Sequence, residues 1–176
     1  MNFEKIDLKN YSFKPFSALA DDWALLTAGS LKKHNAMTIS WGGFGILWHK
    51  LSATVFVRPQ RFTKTLIDQN ERFTLNFFDE EFKPALQFCG TNSGFDVKNK
   101  DEATKLVAKE FDGSVGYEQS RMVLVCKKQF VSQMERANFL NSDLVKQFYS
   151  AGDFHYIYIA EIEAAYRKKR KVDSIS

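Results

Sequence analysis

Two long runs toward the C-terminal end constrain the fold most. Residues 122–133 and 154–166 each read as a single extended strand, and only a short helical segment, around Asp143–Tyr149, separates them. Upstream, residues 51–57 alternate between the two faces of a strand and stop just ahead of Pro59, which cannot donate to a sheet ladder. Shorter strands are expected at 23–28, 35–41 and 73–78, the second broken by the Gly42–Gly45 cluster, and helices at 64–70, 80–89 and 101–109. Thr63 stands where a helix N-cap is expected, and Gly90 lies just beyond the end of the 80–89 helix, which carries Pro84 in its early turn. The strands outweigh the helices and do not interleave with them regularly. This pattern favours a mainly β chain, a barrel with appended helices, over a doubly wound parallel sheet. The aromatic share of 15%, with seventeen Phe, suits that class, because aromatic side chains pack well on pleated surfaces. At 176 residues and 44% hydrophobic content the chain is long and apolar enough for one domain with a continuous core.

The net charge of +4 belongs to one end of the chain. Residues 167–176 hold five of the 25 basic residues (Arg167, Lys168, Lys169, Arg170, Lys171) and one of the 21 acidic ones (Asp173), so residues 1–166 carry twenty of each. The sequence thus divides into a neutral domain, 1–166, and a basic tail, 167–176, that reads as a solvated end. A neutral body lacks the broad basic footprint of a nucleic-acid binder. The N-terminal residues contain no apolar run of signal-peptide length, and no segment approaches the ~20 apolar residues of a membrane span, so a cytoplasmic location without membrane contact is expected. Cys89 and Cys126 lack the spacing of a redox or metal motif, and His34 and His49 lack metal-spaced partners, so no metal is expected. No GxGxxG, Walker P-loop or GxSxG elbow is present.

Three groups of residues can carry chemistry. Along 35–41, Ala36, Thr38 and Ser40 share one strand face while Met37, Ile39 and Trp41 share the other. The small hydroxylated face is that of an ordinary solvent-facing strand, and it also suits a flat heteroaromatic ring. Arg58, Arg61 and Thr63 converge where a strand ends and a helix begins, with Pro59 stiffening the turn and Gln60 offering an amide. That is the composition of an anion cradle, since guanidinium groups and free helix amides both favour phosphate. It is also the composition of an ordinary surface loop. His155, at the mouth of the last strand, is of a type that titrates near neutrality, which suits a proton donor, a nicotinamide contact or a structural hydrogen bond. Ser93 adds a hydroxyl in a polar loop.

The segments Asn35–Gly42, Arg58–Thr63, Phe73–Phe78, Cys89–Gly94 and Gly152–His155, taken in this order, resemble the flavin reductase-like, FMN-binding split-barrel family, and within it the flavoredoxin-like members. The resemblance runs from Trp23 to about Tyr166. It implies a six-stranded antiparallel split β-barrel of Greek-key type that forms a homodimer with FMN near the subunit interface. It further implies that the 38–41 strand, with Thr38, Ser40 and Trp41, lines the flavin ring, and that Asn35, Ala36 and Met37 also belong to the cofactor site. Arg58, Gln60, Arg61 and Thr63 hold its phosphate, and Ser93 and Gly94 close over it. NADH or NADPH would then be a transient co-substrate passing hydride to flavin N5, with His155 nearby as the candidate catalytic residue. The alternative within this resemblance is a flavin-binding electron carrier that has a partner protein and no direct NAD(P)H activity. The chain departs from the family at Phe95, where members often carry Arg, at Asp96–Asn99, where they carry an Asp-x-Asp-Lys pattern, and at Phe154, which interrupts a Gly-Asp-His run.

Overall fold

Strand β2 (Ala24–Ser30) shows how the molecule is layered. Its first five residues are all buried, with no alternation, because both faces are covered. Ala24, Leu26 and Ala28 face the main core with Phe73, Leu75, Phe77 and Leu124, while Leu25 faces a second cluster with Ala36, Leu86 and Cys89. Removing each large core side chain from water contributes roughly 1.5–3 kcal/mol. The polar groups in this layer are paired: the fully buried Asn76 donates to the Leu25 carbonyl at 3.1 Å and to the Thr74 hydroxyl at 2.8 Å.

The computed structural model describes residues 2–169. After β1 (Phe3–Ile6) a short helix α1 (Pro15–Ser17) runs into a wide helical turn and then β2. The chain continues through β3 (Lys33–Ile39), β4 (Gly42–Leu47), β5 (Lys50–Val57), α2 (Phe62–Gln69), β6 (Arg72–Phe77) and α3 (Lys83–Thr91). It then forms α4 (Lys100–Thr104), β7 (Ala108–Phe111), β8 (Ser114–Tyr117), β9 (Met122–Gln133), α5 (Ser142–Phe148) and β10 (Tyr156–Lys168). The main sheet is antiparallel, in the order β3-β2-β6-β9-β10-β5-β4, with β1 added beside the C-terminal half of β10; β7 and β8 form a separate pair.

Eight strands therefore form the main sheet, not the six expected from the resemblance. Its two ends, β3 and β4, are joined by Ser40 and Trp41 alone. Seven flat strands would hold those ends ~29 Å apart at the usual spacing, whereas three residue steps span at most about 11 Å. The sheet must curl, and β3 and β4 meet at an unladdered seam. Two register shifts in the β9–β10 ladder, after Ile159 and after Ile162, supply bends along the way.

Several local expectations are corrected. Arg61, not Thr63, occupies the N-cap of α2, because the Thr63 hydroxyl is buried and accepts from Asn35 Nδ2 at 2.7 Å. Gly90 lies inside α3, which passes so close to β3 that a Cβ there would sit 3.3 Å from that of Thr38. The helix expected at 101–109 stops at Thr104, since Lys105 takes a left-handed conformation and the chain turns into β7. The strand at 35–41 does end ahead of the glycines, at Ile39, but Gly42, Gly43 and Gly45 themselves lie in a further strand, β4, which forms through backbone pairing with β5. The last strand runs on to Lys168, pairing with β1, so Arg167 and Lys168 belong to the sheet; residues 170–176 of the basic tail lie outside the described residues.

Candidate functional site

At the seam between β3 and β4 lies a cleft of about 240 Å³. Met37, Thr38, Ile39, Ser40 and Trp41 form one wall, and Phe56, Arg58, Arg61, Gly90 and His155 form the rest. It brings together seven of the residues singled out from the sequence: Met37, Thr38, Ser40, Trp41, Arg58, Arg61 and His155. Asn35, Ala36 and Gly94 line a second cavity of about 540 Å³ between β3, α2 and the 93–101 segment. Gln60, Thr63 and Ser93 line neither. Ile39, Phe56 and Gly90 were missed: Ile39 was read as a core residue, and nothing in the local sequence signals that α3 and β5 approach the seam.

The arginines are positioned by a tight turn. β5 ends at Val57, Pro59 sets the turn, and the Arg61 amide donates to the Arg58 carbonyl at 3.1 Å. The two side chains then part. Arg58 donates to the Asp153 carboxylate and, at 3.0 Å, to the Phe148 carbonyl at the end of α5. Gln60 donates to the same Asp153 at 2.8 Å. The hydrogen bond from Gln60, with that from Arg58, holds the Asp153 carboxyl below the usual carboxylate range. Arg61 instead donates to the carbonyls of Gly90 (2.8 Å) and Cys89 (3.2 Å) in the last turn of α3, where unpaired carbonyls attract a cation. Among the described residues it forms no ion pair with a carboxylate. Burial lowers its pKa, but a guanidinium stays charged at any ordinary pH. The cleft therefore holds one balanced cation, Arg58, and one without a counter-anion, Arg61.

The strand wall differs from the open face read in the sequence. Ala36 is fully buried under α3, and Thr38 donates its hydroxyl to the Leu86 carbonyl of that helix. Ser40 is exposed, and Trp41, expected in the core with Met37 and Ile39, is 46% exposed at the cleft. Its ring stands edge-on to Phe148 at 5.4 Å and tilted against His155 at 5.5 Å. His155 is itself buried, with Nδ1 hydrogen-bonded to the Tyr149 hydroxyl at 2.8 Å. Burial, assisted by the positive charge of Arg58, pushes its pKa down to about 4. The imidazole is neutral near pH 7, so it acts there as a hydrogen-bonding group and not as an imidazolium acid. Burial also pushes the Cys89 thiol up to about 11, which removes thiolate chemistry at neutral pH. Among the described residues no group of three His, Cys, Asp or Glu can hold a metal, and no helix is long and apolar enough to cross a membrane.

Gly94 closes the 93–101 segment onto β3 and α2. A Cβ at this position would meet Phe62 Cδ1 at 2.5 Å and Asn35 Oδ1 at 2.6 Å, so Gly94→Ala must push Asn35 off the Thr63 hydroxyl or displace Phe62. We expect a loss of about 1–2 kcal/mol of stability, measured by urea unfolding. An unchanged unfolding midpoint would show that the segment is not held against the strand.

No protein-family model matches the chain, and no curated protein matches its sequence. Solved structures do. An FMN-binding domain of a flavin reductases-like enzyme from Shewanella baltica superposes with a TM-score of 0.66 at 19% identity, over 95% of this chain and 78% of that one. Flavoredoxin from Methanosarcina acetivorans gives 0.64 at 21% identity over 94% and 76%. An FMN-binding protein from Thermus thermophilus, solved with bound p-hydroxybenzaldehyde, gives 0.66 at 16% identity over 90% and 81%. The chain has their fold. Those neighbours are named as FMN-binding, flavin reductases-like and flavoredoxin proteins, and in this chain the cleft lies at the seam of the eight-stranded sheet.

Proposed function

We propose that the protein binds FMN at the seam cleft and works as a flavin-dependent oxidoreductase. The observation that carries this reading is the Arg61 guanidinium: half-buried, held at the cleft by two carbonyls, and without a carboxylate partner among the described residues. A desolvated, preoriented cation of this kind favours a phosphate, which can form charge-assisted bonds to the fork. Beside it, the part-exposed Trp41 and the backbone of Thr38–Trp41 offer an aromatic surface and amides to a flat polar ring. The residues present therefore fit the group. Arg61 would take the phosphate, with Arg58 and Gln60 steadying the turn through Asp153. Met37, Thr38, Ser40 and Trp41 would line the ring, with Asn35, Ala36, Thr63, Ser93 and Gly94 supporting that wall.

When bound, the flavin supplies the redox chemistry, taking hydride from NADH or NADPH and passing electrons on. The protein's own groups orient and shield. His155, neutral and braced by Tyr149, presents a hydrogen-bonding edge without adding charge. At about 240 Å³ the cleft falls below the ~300–1,000 Å³ of pockets that enclose a ligand, so a second surface is needed to cover a bound flavin. The β4–β5 hairpin offers one. Ile46 and Trp48 are more than half exposed, and Trp48 and His49 form a turn in left-handed conformation, which projects the indole from an edge strand. We take this hairpin as the contact of a homodimer.

Titration of the purified chain with FMN should show binding at micromolar concentration or tighter, and anaerobic mixing of the loaded protein with NADH or NADPH should bleach the flavin. Bleaching only by a reduced protein donor would favour the electron-carrier reading. Absence of FMN binding at 100 μM, a concentration of about a hundredfold excess over that threshold, would sink both.

A further inference from the structure

Where β9 and β10 come together at the cleft, the Met134 amide donates to the His155 carbonyl at 2.9 Å, which brings the Met134 thioether and the His155 ring to the same end of the sheet. The Tyr149 hydroxyl meets both side chains, 2.8 Å from His155 Nδ1 and 3.4 Å from Met134 Sδ. Tyr149 is held there on all sides. It is buried, its ring stacks on Phe154 at 4.9 Å and meets Phe139 at 5.5 Å, and the Arg58 guanidinium lies 5.3 Å over it. Arg58 is fixed in turn by Asp153 and by the Phe148 carbonyl.

The buried imidazole is neutral near pH 7 and so carries one proton. The phenol also has one proton, and two acceptors compete for it. Given to Nδ1, it leaves the imidazole proton on Nε2. Given to sulfur, it requires Nδ1–H to donate to the phenol oxygen, and Nε2 is then a bare acceptor. A thioether is a weak acceptor, whereas the contact to Nδ1 is short and joins two strong hydrogen-bonding groups. The first arrangement is favoured. Nε2 has no hydrogen-bond partner among the described residues. The one described side-chain atom that is both sealed from solvent and unbonded is Ser114 Oγ, so Nε2 is open. The ring lines the cleft beside Trp41.

We propose that Tyr149 is a positioning residue that keeps the His155 proton on Nε2, so that the cleft presents a neutral N–H donor to an acceptor atom of the ring bound there. The choice of ligand rests on the FMN reading; the place of the proton does not. The polar edge of a flavin suits such a donor, because its carbonyl oxygens and bare ring nitrogens accept and gain electron density on reduction. A donor aimed at that edge binds the reduced ring more tightly than the oxidised one, which raises the flavin potential.

The test begins with nitrogen magnetic resonance of the full-length, flavin-free chain carrying isotope-labelled histidine, near pH 7. His155 is expected to show a protonated Nε2 and a bare Nδ1. Tyr149→Phe should replace this signature with a mixture of both tautomers, and Met134→Leu should leave it unchanged. Adding FMN should then shift the Nε2 resonance. In the FMN-loaded protein, His155→Leu should lower the flavin midpoint potential by ~30 mV, the equivalent of about a tenfold loss of preference for the reduced ring in a two-electron couple. His155→Gln, whose amide can place an N–H where Nε2 stood, should recover more than half of that shift, and Tyr149→Phe should fall between the two. A proton on Nδ1 in the parent, a Tyr149→Phe spectrum identical to the parent's, or a changed signature in Met134→Leu overturns the positioning role. The proposal also fails if FMN binds but neither moves Nε2 nor responds to His155→Leu, because the donor would then not serve the ring. Failure of the parent to bind FMN, with the proton found on Nε2 and released by Tyr149→Phe, overturns the flavin reading and upholds the role of Tyr149.

Discussion

Replacing Arg61 with Met is expected to weaken FMN binding by about a hundredfold or more and to destabilise the protein by about 2–3 kcal/mol. Both effects come from one side chain. Each charge-assisted hydrogen bond to phosphate contributes about 1.5–3 kcal/mol, and a hundredfold change corresponds to ~2.8 kcal/mol. The stability loss arises at α3, where the Gly90 and Cys89 carbonyls would lose a cationic donor. Arg61→Lys separates the two, keeping the charge but not the planar fork, and should recover part of the affinity. Flavin-fluorescence titration and thermal unfolding read the outcomes. An FMN affinity for Arg61→Met within twofold of the parent would remove Arg61 from the phosphate site.

The second large effect is on the pH dependence of stability. His155 is held neutral in the fold, with a pKa of about 4 against an ordinary value of 6.5. Above pH 6.5 it is neutral in both folded and unfolded chains, and its contribution is fully present. As pH falls from 6.5 toward 4, the unfolded chain takes up a proton that the folded one refuses, and stability falls by about 3 kcal/mol in total. His155→Asn should flatten the profile across this window. Denaturant unfolding at half-unit pH steps measures the slope, and nuclear magnetic resonance titration of the imidazole gives the midpoint directly. A midpoint near 6.5 would mean that the ring is hydrated and that Arg58 does not reach it.

How far the sequence carried the reading depended on whether the cause was local. The strand at Met122–Gln133 falls where expected to the residue, because its apolar run and its length are properties of the segment itself. β4 was missed for the opposite reason: with three glycines and an exposed edge, it is supported by the ladder to β5 and by Phe44 packing on Phe13 and Phe77, none of which is local to the segment. The short strands β1, β7 and β8 likewise depend on partners distant in sequence or on a tight turn between four-residue segments. At the site, the turn at Pro59 was legible from the residues, whereas the gathering of Arg58, Arg61, Trp41 and His155 came through the resemblance alone, the local pattern having put Trp41 in the core. The division of labour between the arginines was not, because Asp153 lies 95 residues from Arg58 and the Cys89 and Gly90 carbonyls become acceptors only once α3 has packed. The open hydroxyl face at 36–40 failed on the same ground, since Leu86 claims the Thr38 hydroxyl from a helix 48 residues away.

The carbonyl of Cys89 receives both Arg61 and Lys100, residues that enter from opposite sides of α3 in the chain. Neither cation can be released without exposing a charge held from water or an acceptor left empty, so the end of α3, the turn before α2 and the start of α4 should open as one unit. Amide hydrogen exchange would then report a single opening free energy shared across these three segments, distinct from the slower opening of the β6–β9 centre.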